Sequence, residues 1–243
     1  MFFIENELMS TKEAALFIPK IYELLRARFG HRNWWPGDTR DEIIIGAILT
    51  QNTAWTNVEK AINNLREANC LSLKNLAGIP RSELEQMIRP SGYFRQKAER
   101  LMNFSRILLD HPGGPDAFFH HSQSLDEVRD RLLNINGIGP ETADSILLYA
   151  ASFPSFVIDA YTFRIFTRLG LHTGKKDYLK LQKLIANNLD QDIDLYGDCH
   201  AQLVELGKRY CWNQQPQCSS CPLNELCPKT GIRMKKSDLL STA

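Results

Sequence analysis

Apolar residues in this chain recur at helical spacing far more often than they alternate. Between Glu141 and Ala151, Ala143, Ile146, Leu147 and Ala150 fall on or near one helix face. Val128 to Asn134 is a shorter run of the same kind, and Ala160 to Arg168 is another. Helix-start signals precede several such runs. Ser10/Glu13, Thr39/Glu42 and Ser124/Glu127 each fit the Ser/Thr-x-x-Glu capping box, and Asp177 is placed to cap a helix beginning Tyr178-Leu179. Alternating strand patterns are scarce. Phe153 to Ile158 comes nearest to one, and Pro154 inside it argues against a ladder strand. The predicted fold class is all-α.

A length of 243 residues suffices for one large core or two small ones. Leu, Ile and Ala dominate, no tract is of low complexity, and no apolar run is long enough to span a membrane. No heptad or spare apolar helix asks for a partner copy, so a monomer is expected. Met1-Phe-Phe-Ile4 is too short for a signal core and Glu5 and Glu7 follow at once, which predicts a cytoplasmic protein. Net charge is only +1, weak for a nucleic-acid binder. Any binding surface must therefore be locally basic. Arg89, Arg95 and Lys97 flank one candidate surface, Lys208 and Arg209 precede Cys211, and Lys229, Arg233, Lys235 and Lys236 form a basic tail. The plainer reading of each group is a solvated face, and it is the favoured one for the tail.

Three features carry candidate chemistry. The first is the turn Ile135-Asn-Gly-Ile-Gly-Pro140 between two helical runs. Gly137 and Gly139 permit positive φ and leave the backbone bare, and Pro140 suits a first helical turn. Their amides would face outward at a helix start, where a DNA phosphate can bind without its sequence being read. An ordinary tight helix–helix turn has the same composition. The second is Asp159, which can cap the helix starting at Ala160 or act as a lone carboxylate. The third is the quartet Cys211, Cys218, Cys221 and Cys227, spaced C-x6-C-x2-C-x5-C. That spacing gathers four thiolates round one centre, a metal ion or an iron–sulfur cluster. Zinc sites more often use two C-x2-C knuckles, and only Cys218/Cys221 forms one. Cys70 and Cys199 read as ordinary buried thiols. His120, His121 and His200 lack metal-ligand spacing and read as surface or satisfied core residues.

In this order and spacing, hairpin, aspartate and cysteine quartet resemble the helix-hairpin-helix DNA glycosylases of the endonuclease III type, from about Ile21 to Cys227. Trp34-Trp35-Pro36 with Gly46-Ala-Ile-Leu-Thr-Gln-Asn-Thr-Ala-Trp55, and Arg89-Pro-Ser-Gly-Tyr-Phe-Arg-Gln-Lys-Ala98, look especially like the 3-methyladenine DNA glycosylase III branch. Not every member of that branch has a cluster, and this chain looks like a cluster-bearing relative. The resemblance implies a six-helix domain at 40–153 and an iron–sulfur domain built from 1–39 and 154–243. It implies a [4Fe–4S] cluster on Cys211, Cys218, Cys221 and Cys227, and double-stranded DNA with a damaged base as partner. The loop Trp212-Asn-Gln-Gln-Pro-Gln217 departs from the pattern, since many relatives carry basic residues there.

The same resemblance assigns roles. Val157-Ile-Asp-Ala-Tyr-Thr-Phe-Arg164 matches the segment holding the family's catalytic aspartate, at Asp159. Breaking an N-glycosidic bond builds positive charge on the sugar, which a carboxylate stabilises, and the carboxylate can activate water. Bifunctional members have a lysine where this chain has Glu141, and a carboxylate forms no Schiff base. The expectation is base removal that leaves an abasic site intact. The base must leave the stack to be reached, and Gln51 and Tyr93 match residues that wedge into the duplex. Lys97 is expected at the active cleft, at a phosphate, or simply in solvent. Trp35, Pro36 and Trp55 match the base pocket, where indole faces would favour cationic N-alkylated purines. Glycosylases for oxidised pyrimidines or mismatches fit the same frame, and so does a non-catalytic iron–sulfur protein that binds damaged DNA.

Overall fold

The computed structural model describes residues 11–172 and 177–232, and the regular structure among them is helical, with no strand. Ser10 of the Ser10/Glu13 pair and the basic residues Arg233, Lys235 and Lys236 lie outside the described residues. No described helix is long and apolar enough to cross a membrane. The chain separates into two compact units, one of Asn33–Val157 with Asp192–Gly197, the other of Met1–Arg32, Ile158–Gln191 and Asp198–Ala243.

The first unit is organised round α2 (Arg40–Leu49), whose Ile44, Ile45, Ile48 and Leu49 are fully buried. Burial of each contributes about 1.5–3 kcal/mol. Thr39 caps this helix by accepting from the Glu42 amide at 3.2 Å. The Glu42 carboxylate does not close the box but takes Arg66 at 2.6 Å. Amphipathic α3 (Trp55–Glu67) and α6 (Phe94–Asp110) bury Val58, Ala61, Ile62 and Leu65, and Ala98, Leu101, Phe104 and Leu108. Short helices α4 (Leu73–Gly78), α5 (Arg81–Met87) and α7 (Gly114–Phe118) complete this side. Helix α8 (Leu125–Leu133) begins with a full capping box at Ser124 and Glu127. Across the hairpin, α9 (Pro140–Ser145) continues as a π-helical turn, Ile146–Ala150, with Ala151 N–H bonding Ile146 O at 3.0 Å. Asp144 is wholly buried, yet Arg129 at 2.8 Å and the Ser155 hydroxyl at 2.6 Å both bond its carboxylate. They pin α8 and the irregular segment after the π turn to α9. Cys70 departs from expectation: it is partly exposed, its thiol donating to Ala68 O at 3.3 Å.

The second unit contains α1 (Thr11–Phe29), α10 (Ala160–Arg168), α11 (Tyr178–Ala186) and the part of α12 (Ile193–Arg209) from Asp198 onward. Asp177 caps α11 through the Lys180 amide at 3.1 Å. Asp198 is buried on α12 and accepts from the Tyr22 hydroxyl at 2.9 Å and the Arg32 amide at 2.7 Å, tying α1 to α12. Gly207 lets α10 approach α12, for a Cβ there would fall 2.2 Å from the Tyr161 ring. Cys199 is buried, as expected of an inert thiol, and burial pushes its pKa up.

Candidate active site and DNA-binding elements

Asp159 is the N-cap of α10, in extended backbone. One carboxylate oxygen, Oδ1, accepts from the Thr162 amide at 2.7 Å and the Thr162 hydroxyl at 2.8 Å. The other, Oδ2, lies 3.7 Å from His200 Nε2 on α12. Burial by itself raises this carboxyl, but the nearby His200 imidazole, with the Thr162 donors, holds it below the usual carboxylate range. The group is therefore ionised, immobile, and committed to the helix end through one oxygen only. His200, expected as a surface or satisfied core residue, is buried and faces the aspartate forty-one positions upstream, and no local spacing links the two.

In the hairpin, Gly137 has φ +86° and Gly139 φ −92°. Only the first uses the freedom expected of both, because Gly139 is an extended N-cap that any residue could adopt. Gly139 is exposed, and a Cβ on it would meet nothing within 4 Å. Gly137 meets Arg100 of α6 instead. Gln51, at the end of the turn after α2, donates to Gly137 O at 2.9 Å and Thr142 Oγ1 at 3.0 Å, and accepts from Arg100 Nη1. The residue expected as a wedge is thus seated against the hairpin, with both ends of its amide engaged. Arg100 was not apparent from sequence as part of this group. Glu141 is exposed in the first turn of α9.

Tyr93 precedes α6 at φ +45° and is 67% exposed, the geometry of a projecting side chain. Arg89 and Arg95, both exposed, place their guanidiniums over the adjacent Phe94 ring at 5.9 and 5.7 Å. Lys97 corrects expectation. It reaches neither solvent nor a phosphate, being 1% exposed, and its Nζ donates to Leu49 O at 2.8 Å, Thr53 Oγ1 at 2.7 Å and Ser91 O at 2.7 Å. Burial, with Arg100 nearby, draws the amine down to about 8. The three acceptors oppose that shift, since only the ammonium has a proton for each.

Trp35 and Trp55 meet edge-to-face with ring centroids 5.2 Å apart. Trp34 lies 5.6 Å from Trp35, and Tyr149 lies 5.2 Å from it on another side. Pro36 next to them is exposed. Gly46 of α2 allows this packing: a Cβ there would stand 3.4 Å from Trp35 Nε1 and 3.6 Å from Trp55 Cη2. The Trp35 indole N–H is buried with no hydrogen-bond partner among the described residues, whereas Trp55 donates to Glu59 at 2.8 Å. Tyr149 escaped sequence reading because it sits within an apolar helical run.

All four cysteines of the quartet line one cavity of about 30 Å³, together with Arg168, Tyr210 and Pro216. Two arginines of α10 hold its rim. Arg164 Nε donates to Cys211 O at 2.7 Å, and Arg168 donates to Trp212 O at 2.7 Å, Asn213 O at 2.9 Å and Cys211 Sγ at 3.1 Å. Burial pushes the Cys221 thiol up to about 11, and the charges of the other three cysteines add to this. Among the described residues no group of three or more His, Cys, Asp or Glu is placed to hold a single metal ion.

Residues 45–191 match the family described as HhH-GPD superfamily base excision DNA repair protein. A putative DNA repair glycosylase of Methanocaldococcus jannaschii is 42% identical over 210 residues, 86% of this chain and 95% of its own. Endonuclease III of Thermotoga maritima is 34% identical over 190 residues, 76% of this chain and 81% of its own. The crystal structure of an H. pylori 3-methyladenine DNA glycosylase bound to 1,N6-ethenoadenine superposes with a TM-score of 0.68 at 29% identity, covering 83% of this chain and 98% of that one.

Proposed function

The chain belongs to the HhH-GPD superfamily of base excision DNA repair proteins and is a DNA glycosylase; from that premise we propose that it is monofunctional, acts on N-alkylated purines, and uses Asp159. The observation that carries the reading is the buried Asp159 carboxylate, with Oδ1 held by Thr162 and Oδ2 facing His200 at 3.7 Å without a hydrogen bond. As the bond from the sugar to the purine breaks, its electron pair goes to the base. An N-alkylated purine already carries positive charge and leaves neutral, so no acid need protonate it. Charge builds on the sugar instead, and the fixed carboxylate stabilises it in a dry site where such an interaction is strongest. Water then bonds to the anomeric carbon and gives up a proton, for which Asp159 is the acceptor. Glu141 supplies no amine to attack that carbon, so the product is an intact abasic site.

Substrate choice rests on the aromatic group Trp35, Trp55 and Tyr149. Indole faces attract cations, and the H. pylori relative binds 1,N6-ethenoadenine, a modified purine. The gap left in the duplex is assigned to Gln51 and Tyr93, and phosphate contact to the Gly137 and Gly139 amides. Cys211, Cys218, Cys221 and Cys227 suit a [4Fe–4S] cluster, since all four face one cavity with Arg168 beside them. When bound, the cluster supplies a covalent tie between the ends of the cysteine segment. Iron and sulfide analysis of purified protein tests this assignment, and a zinc content of one per chain would overturn it.

The identity to an endonuclease III favours a second reading, oxidised pyrimidines or mismatches as substrates. One assay separates them: duplexes carrying 3-methyladenine, 7-methylguanine, thymine glycol or a G·T mismatch, scored with and without alkali. Release of alkylated purine, with nicks only after alkali, is expected. Activity confined to the pyrimidine lesions would install the second reading, and strand cleavage without alkali would end the monofunctional one.

A further inference from the structure

We propose that Lys97 is a positioning residue for DNA recognition, a buried ammonium that fixes the loop carrying Gln51 to the loop carrying Tyr93. This rests on the reading of those two residues as wedges. The geometry is specific. Lys97 takes its three acceptors from two residues before Gln51 (Leu49 O), two residues after it (Thr53 Oγ1) and two residues before Tyr93 (Ser91 O). The Thr53 hydroxyl also donates to Ser91 O, so ammonium, hydroxyl and carbonyl close a triangle between the loops. Leu49 is the last residue of α2, and Ser91 ends the 3-10 turn Arg89–Ser91. Both carbonyls stand at helix ends, where intrahelical donors are lacking and a cation is favoured.

An apolar core would be served better by Leu or Met at this position. A charge buried with three neutral oxygens and no carboxylate among its described partners is costly unless every proton is used. Here every proton is used, and all are spent on the two loops. Beyond each anchored carbonyl the chain turns left-handed at a residue other than glycine, Asn52 at φ +53° and Tyr93 at φ +45°. Asparagine visits this region readily, whereas a bulky residue such as Tyr93 stays there only where the surroundings hold it. Lys97 is the common hold, and it leaves Tyr93 projecting.

The test compares binding of an intact duplex with a duplex containing a tetrahydrofuran abasic analogue, whose empty slot rewards wedge insertion. Fluorescence anisotropy is read for wild type, Gln51→Ala, Tyr93→Ala, Lys97→Met and Thr53→Ala. Lys97→Met is expected to cut the preference for the analogue about tenfold or more, while affinity for the intact duplex stays within about twofold. Thr53→Ala, which removes one acceptor and the Thr53–Ser91 bond, should give a smaller loss in the same direction, and it decides the matter if Lys97→Met does not fold. A merely structural lysine would lower melting temperature and leave the preference alone. If Gln51→Ala and Tyr93→Ala erode the preference but the folded Lys97 and Thr53 variants keep it, the positioning role falls and the wedges stand. If the two wedge variants keep the preference, the wedge reading fails and takes this inference with it.

Discussion

The Arg100 side chain occupies the space that a side chain at Gly137 would need: a Cβ there would lie 2.5 Å from Arg100 Nε and 2.7 Å from its Cδ and Cγ. The absence of a side chain thus does two things at once. It permits φ +86° at the hairpin, and it lets Arg100 pass close enough to hold Gln51, which in turn bonds Gly137 O. Hairpin, helix α6 and the Gln51 loop are one mechanical unit.

Gly137→Ala should therefore damage both fold and binding. The left-handed backbone alone costs about 1–2 kcal/mol for a residue with a Cβ, and the encounter with Arg100 adds to it. Gly139→Ala isolates binding from folding, because its φ is −92° and the added methyl meets nothing. The expected result is an unchanged melting temperature with weaker affinity for damaged and undamaged duplex alike, since backbone amides read no sequence. Full retention of DNA affinity in Gly139→Ala would remove that residue from the phosphate site.

Asp159→Asn keeps an acceptor for Thr162, and asparagine caps helices as well as aspartate does, so melting should barely move. The charge is lost, and base release should fall by about 10²–10³-fold or more. His200→Ala tests the other oxygen. It leaves the burial of Asp159 less opposed, so the carboxyl rises and the acid limb of the pH–rate profile shifts upward. The sign for stability is the usual one for a depressed carboxylate: its contribution is present above the unfolded value, about 3.9, and is lost as pH falls through the lower folded value. An acid limb unmoved in His200→Ala would show that the imidazole does not act on Asp159.

Which of these contacts could be read from sequence depended on how local they are. The Ser124 box, the Asp177 cap and the Asp159 cap are contained within four residues each, and all three formed. Gly139 was misjudged because composition cannot say which glycine of a pair takes the turn. Lys97 was misread although its signal was present: it shares a helical stripe with Leu101, Phe104 and Leu108, all fully buried. A lysine in that phase belongs to the interior, but its acceptors come from residues 49, 53 and 91 and could not be foreseen. His200 is a similar case, in phase with Leu203 and Gly207 on α12, with its partner on another helix.

Trp35→Ala should separate substrate choice from DNA binding. The indole packs against Trp34, Trp55 and Tyr149, and removing it opens space beside Gly46. A cost of about 3–5 kcal/mol is usual where such a ring is fully buried; Trp35 is only half-buried, so the cost should be smaller. Release of cationic alkylpurine should drop more than release of a neutral lesion, with binding to abasic-analogue duplex retained. An equal drop for both lesions would make Trp35 a packing residue.

Cys218→Ser tests the cysteine segment. The residues between Cys211 and Cys227 contain a single 3-10 turn, and Leu223 is the one apolar side chain among them buried to 2%. Hydrogen bonds from Arg164 and Arg168 secure its start, and at its end the Cys227 thiol donates to Arg168 O at 3.3 Å. With so little apolar burial, the proposed cluster would supply the stability, because ligand binding free energy becomes folding free energy where the apo segment has no core. Loss of one thiolate should therefore abolish the brown absorbance and lower the melting temperature together, and limited proteolysis should begin within this segment. Loss of colour with an unchanged melting temperature would mean that the two arginines and Leu223 hold the segment unaided.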